Sequence, residues 1–238
     1  QNTKPVVAIY STFLQRAYDQ IIHDVCVQGL DVTFAIDRAG LVGEDGPTHA
    51  GVYDYAYLRT LPGILIATPS SEAECRLLLS TSYQHSGPAA VRYPRGKGPG
   101  ELPDKSLIAV DIGRAVTRRE GHSGVVILAF GSRVWAALEA ANAIDATVVD
   151  MRWVKPLDEE LLLLHAEAKL IVTVEEHQRM GGAGSAVGEF FADQSLQINL
   201  LSLGLPDRFE AHSKPDAMLK RVGLDSQGIQ DAIQRRIN

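Results

Sequence analysis

The side chains best suited to chemistry fall in three short clusters: Tyr10-Ser11-Thr12-Phe13, Asp37-Arg38, and Arg92-Tyr93-Pro94-Arg95-Gly96. Each follows an apolar, β-rich run, and in open parallel sheets ligands bind outside the carboxyl ends of the strands. Tyr10 and Phe13 flank a predicted helix start, where an exposed ring stacks on a flat heterocycle; the competing reading packs both rings in the core. Arg38 and Arg95 at adjacent strand ends can converge on one phosphate, which Arg binds bidentately. Ordinary salt bridges to Asp37 and Asp45 are the alternative. Asp45 and His49 bracket Gly46-Pro47-Thr48, so one loop carries a carboxylate and an imidazole as hydrogen-bond partners or proton-transfer groups. A solvated loop histidine is the plainer reading.

The second half is chemically quieter. Glu175-Glu176-His177 leads into Gly181-Gly182-Ala183-Gly184-Ser185. A Gly-rich turn before a helix can bind an anion, but two carboxylates precede this one, and a tight turn with helix packing is the favoured reading. His85, His122, His165 and His212 are scattered without metal spacing, and Cys26 and Cys75 form no CxxC. No metal-ligand set is expected, and the two thiols read as buried groups of a reducing compartment. Trp135 and Trp153 read as packing residues.

The elements that must position these groups alternate between strand and helix. After a first strand over residues 6–10, apolar side chains at helical spacing predict an amphipathic helix over 13–27. A short strand over 32–36 precedes a loop over 37–51 that holds four glycines and a proline, and loops of this length in compact domains are commonly functional. A helix over 52–61, a strand over 64–67, a helix opened by Ser71 with Glu74 as a capping box, and a strand over 89–93 complete the first series. Three prolines and three glycines between residues 94 and 105 mark a linker. The second series predicts strands over 125–129, 147–150, 170–174 and 198–203, with helices between them and two closing helices. Strands alternating with helices imply an α/β protein of two domains, each a mostly parallel sheet flanked by helices. The domains are drawn at 1–97 and 113–238, with 98–112 as linker.

The 238 residues carry a net charge of −6, with 45% apolar and 22% charged side chains. That composition excludes disorder, collagen and coiled coil. An acidic pI of about 5.6 without long basic runs argues against nucleic acid or an anionic membrane as the main partner. The chain is expected to begin inside a domain, since it runs almost at once into a strand, and to be cytoplasmic.

Beyond these patterns, the run 10–20 (YSTFLQRAYDQ), Asp37-Arg38-Ala39-Gly40, Gly46-Pro47-Thr48-His49, the run 90–96 (AVRYPRG) and the run 149–158 (VDMRWVKPLD) resemble the 1-deoxy-D-xylulose-5-phosphate synthase family. These are thiamine-diphosphate enzymes of the transketolase superfamily. The resemblance covers nearly the whole chain in collinear order and implies a pyrimidine-binding domain followed by a transketolase C-terminal domain. It implies decarboxylative condensation of pyruvate with D-glyceraldehyde 3-phosphate, on the non-mevalonate route to isoprenoids, with thiamine diphosphate and Mg²⁺ as cofactors of the full enzyme. By the same resemblance Phe13 stacks on the aminopyrimidine with Tyr10 beside it in the active site, and Arg16 supplies positive charge for the carboxylate-bearing intermediate. Arg38 and Arg95 hold the substrate phosphate, while Asp45 and His49 handle protons or hydrogen bonds near the pyruvate-derived group. The family's Gly-Asp-Gly motif for diphosphate and Mg²⁺, and its Glu-Gln-His segment, are not among these residues. The chain by itself is therefore expected to be inactive. A homodimer is expected. The alternatives are a β-type subunit of a 2-oxoacid dehydrogenase, a split transketolase, or a non-catalytic dimerisation module.

Overall fold

The computed structural model describes residues 3–237; Gln1, Asn2 and Asn238, which end the two expected domains, lie outside the described residues. β1 (Val6–Tyr10) runs into an irregular helical stretch over residues 11–26. That stretch is α-helical at α1 (Ser11–Leu14), tightens at Gln15–Ala17, returns to α-helix at α2 (Tyr18–Gln20) and widens into a π-helical turn at Ile21–Cys26. The expected amphipathic helix is thus present but not uniform, and Leu14 and Ile21 anchor its inner face in the core. β2 (Thr33–Asp37) follows, then α3 (Asp54–Leu58), β3 (Leu65–Ala67), α4 (Glu72–Gln84) and β4 (Ala89–Arg92). Ser71 caps α4 by accepting from the Glu74 amide at 3.2 Å. The reciprocal half of the capping box is not made, because the Glu74 carboxylate turns to Arg152 at 2.6 and 2.8 Å.

The second series runs β5 (Val116–Arg119), β6 (Val125–Ala129), α5 (Arg133–Ile144), β7 (Thr147–Asp150), β8 (Trp153–Lys155), α6 (Glu159–Leu164), β9 (Leu170–Gln178), α7 (Ala183–Asp193), β10 (Leu200–Leu205), α8 (Pro215–Arg221) and α9 (Ser226–Ile237). Two five-stranded sheets result, ordered β1-β2-β4-β3-β8 and β10-β9-β6-β7-β5. In each, four strands are parallel and one edge strand is antiparallel: β8 against β3, and β5 against β7. The α/β architecture of two mostly parallel sheets stands as the alternation of elements implied.

β8 comes from the second series yet closes the edge of the first sheet, with Trp153 opposite Ala67. One hydrophobic core runs through both halves, joining Leu14, Ile36 and Ile66 to Val126, Met151 and Phe191. Of the two tryptophans, Trp153 is fully buried, whereas Trp135 is 38% exposed and donates its indole N–H to the Ser70 carbonyl at 2.8 Å. Cys26 and Cys75 are both half-buried free thiols, and burial pushes their pKa values up. Among the described residues no helix is long and apolar enough to cross a membrane.

Candidate active site

Strands β1, β2 and β4 are neighbours in one parallel sheet, so the three sequence clusters meet at one edge of it. A backbone bond from the Ala39 amide to the Tyr93 carbonyl (3.1 Å) ties the segment after β2 to the segment after β4. On the tip of β1, the rings of Tyr10 and Phe13 stack with centroids 5.3 Å apart and planes 12° from parallel. Phe13 is 40% exposed, so the core-packing reading does not hold for it; Tyr10 is half-buried. The Arg16 guanidinium lies 6.0 Å from the centroid of Phe13, and His49 meets the same ring edge-on at 5.8 Å. Arg38 lies over Tyr10 at 3.7 Å, a distance typical of a cation–π contact. Tyr10, Phe13, Arg16, Arg38 and His49 thus form one chain of contacts.

The two arginines also make the salt bridges that were their alternative reading. Arg38 Nη1 donates to Asp37 at 2.5 Å, and Arg95 Nη1 donates to Asp45 at 3.0 Å. Each contact uses one of the five guanidinium N–H donors, leaving others to face a ligand. Asp45 therefore faces Arg95, while His49 faces Phe13 and shares a hydrogen bond with the Thr48 hydroxyl at 3.0 Å. They make their contacts with different partners: Asp45 with Arg95, and His49 with Phe13 and Thr48.

That loop has a rigid stem. Gly40 and Gly51 exchange backbone bonds of 2.7 and 2.9 Å. Gly40, at φ +84°, packs so closely on Glu176 that a Cβ would lie 2.3 Å from its Oε1. The Glu176 carboxylate accepts from the Leu41 amide at 2.7 Å and from the Ser132 hydroxyl at 2.8 Å. Thr12 donates to the Thr48 carbonyl at 2.9 Å and fastens the loop to the turn after β1.

Several groups under the site escaped the sequence reading. Asp54 and Arg92 form a buried ion pair at 2.9 Å; Arg92 belongs to the run 90–96, but no local pattern links it to Asp54. Glu175-Glu176-His177 belongs to β9 rather than following a strand. Glu175 accepts from the amides of Ala183 and Gly184 at 2.7 and 2.8 Å. The anion position at the N-terminus of α7 is thereby filled by the protein's own carboxylate, the arrangement that a helix N-terminus favours. Burial pushes the Glu175 pKa up to about 7, against the pull of those two amides. His177 stacks on Tyr55 at 4.8 Å and accepts the Tyr55 amide at Nε2 (3.1 Å). Its proton therefore sits on Nδ1, which donates to the Gln178 carbonyl at 2.7 Å. Burial holds its pKa down to about 4, so the ring is neutral.

A cleft of about 350 Å³ between the starts of α4 and α5 is lined by Cys75, Tyr93, Lys97 and Trp135, among others. Tyr10, Phe13, Arg38 and His49 do not line it; their cluster forms a shelf on which the Phe13 ring is exposed and the other three are half-buried. Among the described residues, no group of three or more His, Cys, Asp or Glu could hold a metal ion.

The family profile described as transketolase, pyrimidine binding domain, matches residues 1–100, and that of the transketolase C-terminal domain matches residues 113–229. Proteins named 1-deoxy-D-xylulose-5-phosphate synthase from Marinomonas sp. and Alcanivorax borkumensis are 61% and 59% identical over 98% and 100% of this chain. The chain spans 37% of the length of each. Among solved structures, a split gene transketolase described as an inactive beta4 tetramer is 32% identical, with a TM-score of 0.85 over 99% of this chain and 76% of that one. Transketolase from Campylobacter jejuni, 20% identical, shares the fold with a TM-score of 0.74 over 98% of this chain and 35% of that one. The chain belongs to the transketolase family and carries its pyrimidine-binding and C-terminal domains in that order.

Proposed function

We propose that this chain is the pyrimidine-binding and C-terminal part of a 1-deoxy-D-xylulose-5-phosphate synthase, which joins pyruvate to D-glyceraldehyde 3-phosphate with release of carbon dioxide. The observation that carries this reading is the shelf itself: a stacked aromatic pair flanked by Arg38 and Arg16, with Arg95 on the adjacent strand tip. Identities of 61% and 59% to synthases against 32% to the split gene transketolase favour the synthase over the split-enzyme alternative.

The open face of Phe13 fits the aminopyrimidine half of thiamine diphosphate, with Tyr10 behind it as a second layer. The cofactor, when bound, supplies the carbanion-stabilising chemistry of the decarboxylation and condensation. The donor set for Mg²⁺ and the diphosphate does not fit these residues, and nothing in this reading runs through a metal held by this chain. Arg16 offsets the negative charge of the pyruvate carboxylate. Arg38 and Arg95 bind the phosphate of glyceraldehyde 3-phosphate through the N–H donors that Asp37 and Asp45 leave free. His49, beside the exposed ring, exchanges a proton with the reacting oxygen, and Asp45 holds its loop through Arg95. Such a shelf needs a facing wall, and we assign that wall to other parts of a longer polypeptide or to a second copy in a homodimer. By itself the chain is proposed to lack synthase activity. Its place is proposed to be the cytoplasm, without nucleic-acid or membrane partners.

The test is a chimera in which this chain replaces the matching 37% of the Marinomonas relative. Formation of 1-deoxy-D-xylulose 5-phosphate from the two substrates is expected. A folded chimera that transfers two-carbon units between sugars, but does not decarboxylate pyruvate, refutes the synthase reading.

A further inference from the structure

Beneath the shelf lies an ion pair that the chemistry above does not use. Arg92 ends β4 at 6% exposure, and Asp54 opens α3 at 1%. Arg92 Nε donates to both Asp54 carboxylate oxygens at 3.0 and 2.9 Å. Its Nη2 donates to the carbonyls of Gly51 and Glu176, each at 2.9 Å. Nη1 reaches the Tyr55 hydroxyl at 3.3 Å. Asp54 in turn accepts the Ser11 hydroxyl at 3.0 Å.

One pair of side chains therefore ties four segments together. Ser11 belongs to the turn that presents Tyr10 and Phe13. Gly51 closes the loop that carries Asp45 and His49. Arg92 itself leads into Arg95, and Glu176 belongs to the C-terminal domain. The packing at this knot has no slack, since a Cβ on Gly51 would lie 2.4 Å from the Arg38 carbonyl oxygen and 2.5 Å from Ser11 Cβ.

A buried ion pair is weak evidence of a stabilising role, because apolar residues of similar volume often serve as well. Here the donors go to carbonyls of separate segments, which apolar residues cannot reproduce. The rigid guanidinium fork donates in several fixed directions at once, and a lysine ammonium does not. We propose that Arg92 and Asp54 are positioning residues that hold the loop 40–51 and the Ser11 turn in one frame with the tip of β4. The proposal deepens the functional reading above and rests on it for the identity of the ligand, but the tethering is a property of the chain alone.

The experiment is hydrogen–deuterium exchange on the whole chain, parent against the double variant Arg92→Met/Asp54→Leu, with titration of glyceraldehyde 3-phosphate alongside. Amides in 40–51 are expected to exchange at least tenfold faster in the variant, while those of β6 and β7 stay within about twofold. A pair that serves only global stability would speed both sets together, and that result, or unchanged exchange in 40–51, overturns the proposal. Glyceraldehyde 3-phosphate affinity is expected to fall at least tenfold. A parent chain that does not bind this ligand counts against the functional reading and leaves the exchange result to decide the positioning. Should the double variant fail to fold, Arg92→Lys, which keeps the charge without the fork, is read by the same criteria.

Discussion

Arg38 sits at φ +55°, in the left-handed region that L-residues other than glycine occupy at a cost of roughly 1–2 kcal/mol. Its surroundings hold it there: its own amide donates to Asp37 Oδ1 at 2.6 Å, its side chain pairs with Asp37 at 2.5 Å, and its guanidinium covers Tyr10. Replacing Arg38 by Ala or by Gly deletes the same side-chain contacts, together worth about 1–2 kcal/mol, so the difference between the two variants isolates the backbone. Glycine relieves roughly 1–2 kcal/mol of strain and gives back roughly 0.4–1 kcal/mol through the larger freedom of its unfolded chain. Arg38→Gly should therefore be more stable than Arg38→Ala by about 0.8 kcal/mol at the midpoints of the two ranges, reversing the order found at ordinary loop positions with negative φ. Urea unfolding of the two variants at neutral pH reads this difference directly. Binding of glyceraldehyde 3-phosphate should fall by the same factor in both, about tenfold to a hundredfold for a lost charge-assisted contact. An alanine variant as stable as the glycine variant, or more so, would refute the strain argument. Unequal losses of binding would show that the backbone, not the guanidinium, carries the ligand contact.

Arg95→Ala should weaken glyceraldehyde 3-phosphate binding by roughly 1.5–3 kcal/mol and leave pyruvate almost untouched, as calorimetry on the chimera would read; an equal loss for both substrates points to a structural bridge instead. Because Arg95 and Asp45 are 54% and 39% exposed, the same change should alter stability by less than about 1 kcal/mol. Glu175 and His177 make opposite contributions to the pH dependence of stability. The Glu175 pKa is raised to about 7, so its contribution is full below the unfolded value and is lost as pH rises through 7. The His177 pKa is lowered to about 4, so its contribution is present above the unfolded value and is lost as pH falls towards 4. Glu175→Gln removes the first and should leave a stability that declines steadily between pH 7 and pH 4, on the order of 3 kcal/mol in all; a flat profile in this variant contradicts a His177 ring held neutral by burial. Gly51→Ala forces a Cβ to within 2.4 Å of the Arg38 carbonyl oxygen and should cost roughly 1–3 kcal/mol, visible in the thermal midpoint; an unchanged midpoint would mean that the loop stem is looser than its contacts indicate.

Local pattern was enough for the order of the helices and of the parallel strands, and for the strand ends that carry Tyr10, Phe13, Arg38 and Arg95. The apolar runs of β3, β6 and β7 and the Ser71 cap are visible because burial and capping act over a few neighbouring residues. β5 and β8 were not legible. They are short antiparallel edge strands, and the sequences Val116–Arg119 and Trp153–Lys155 lack the continuous apolar character of a strand buried on both faces. The extension of β9 through Glu175-Glu176-His177 is hidden for a related reason: three ionisable side chains end the apolar run, so the strand reads as stopping at residue 174, and only their partners in the fold make burial tolerable.

By itself, then, the chain of residues determined a repeated α/β design and a row of chemically competent side chains on neighbouring strand tips, because periodicity and strand–loop order are properties of short stretches. Tertiary structure alone decided that Arg92 faces Asp54, that Glu175 occupies the start of α7, and that Asp45 and His49 part company. The first two depend on which remote polar group arrives to satisfy a buried donor or acceptor, the third on an exposed pairing of Asp45 with Arg95, fifty residues away in the chain, and no local spacing encodes those choices.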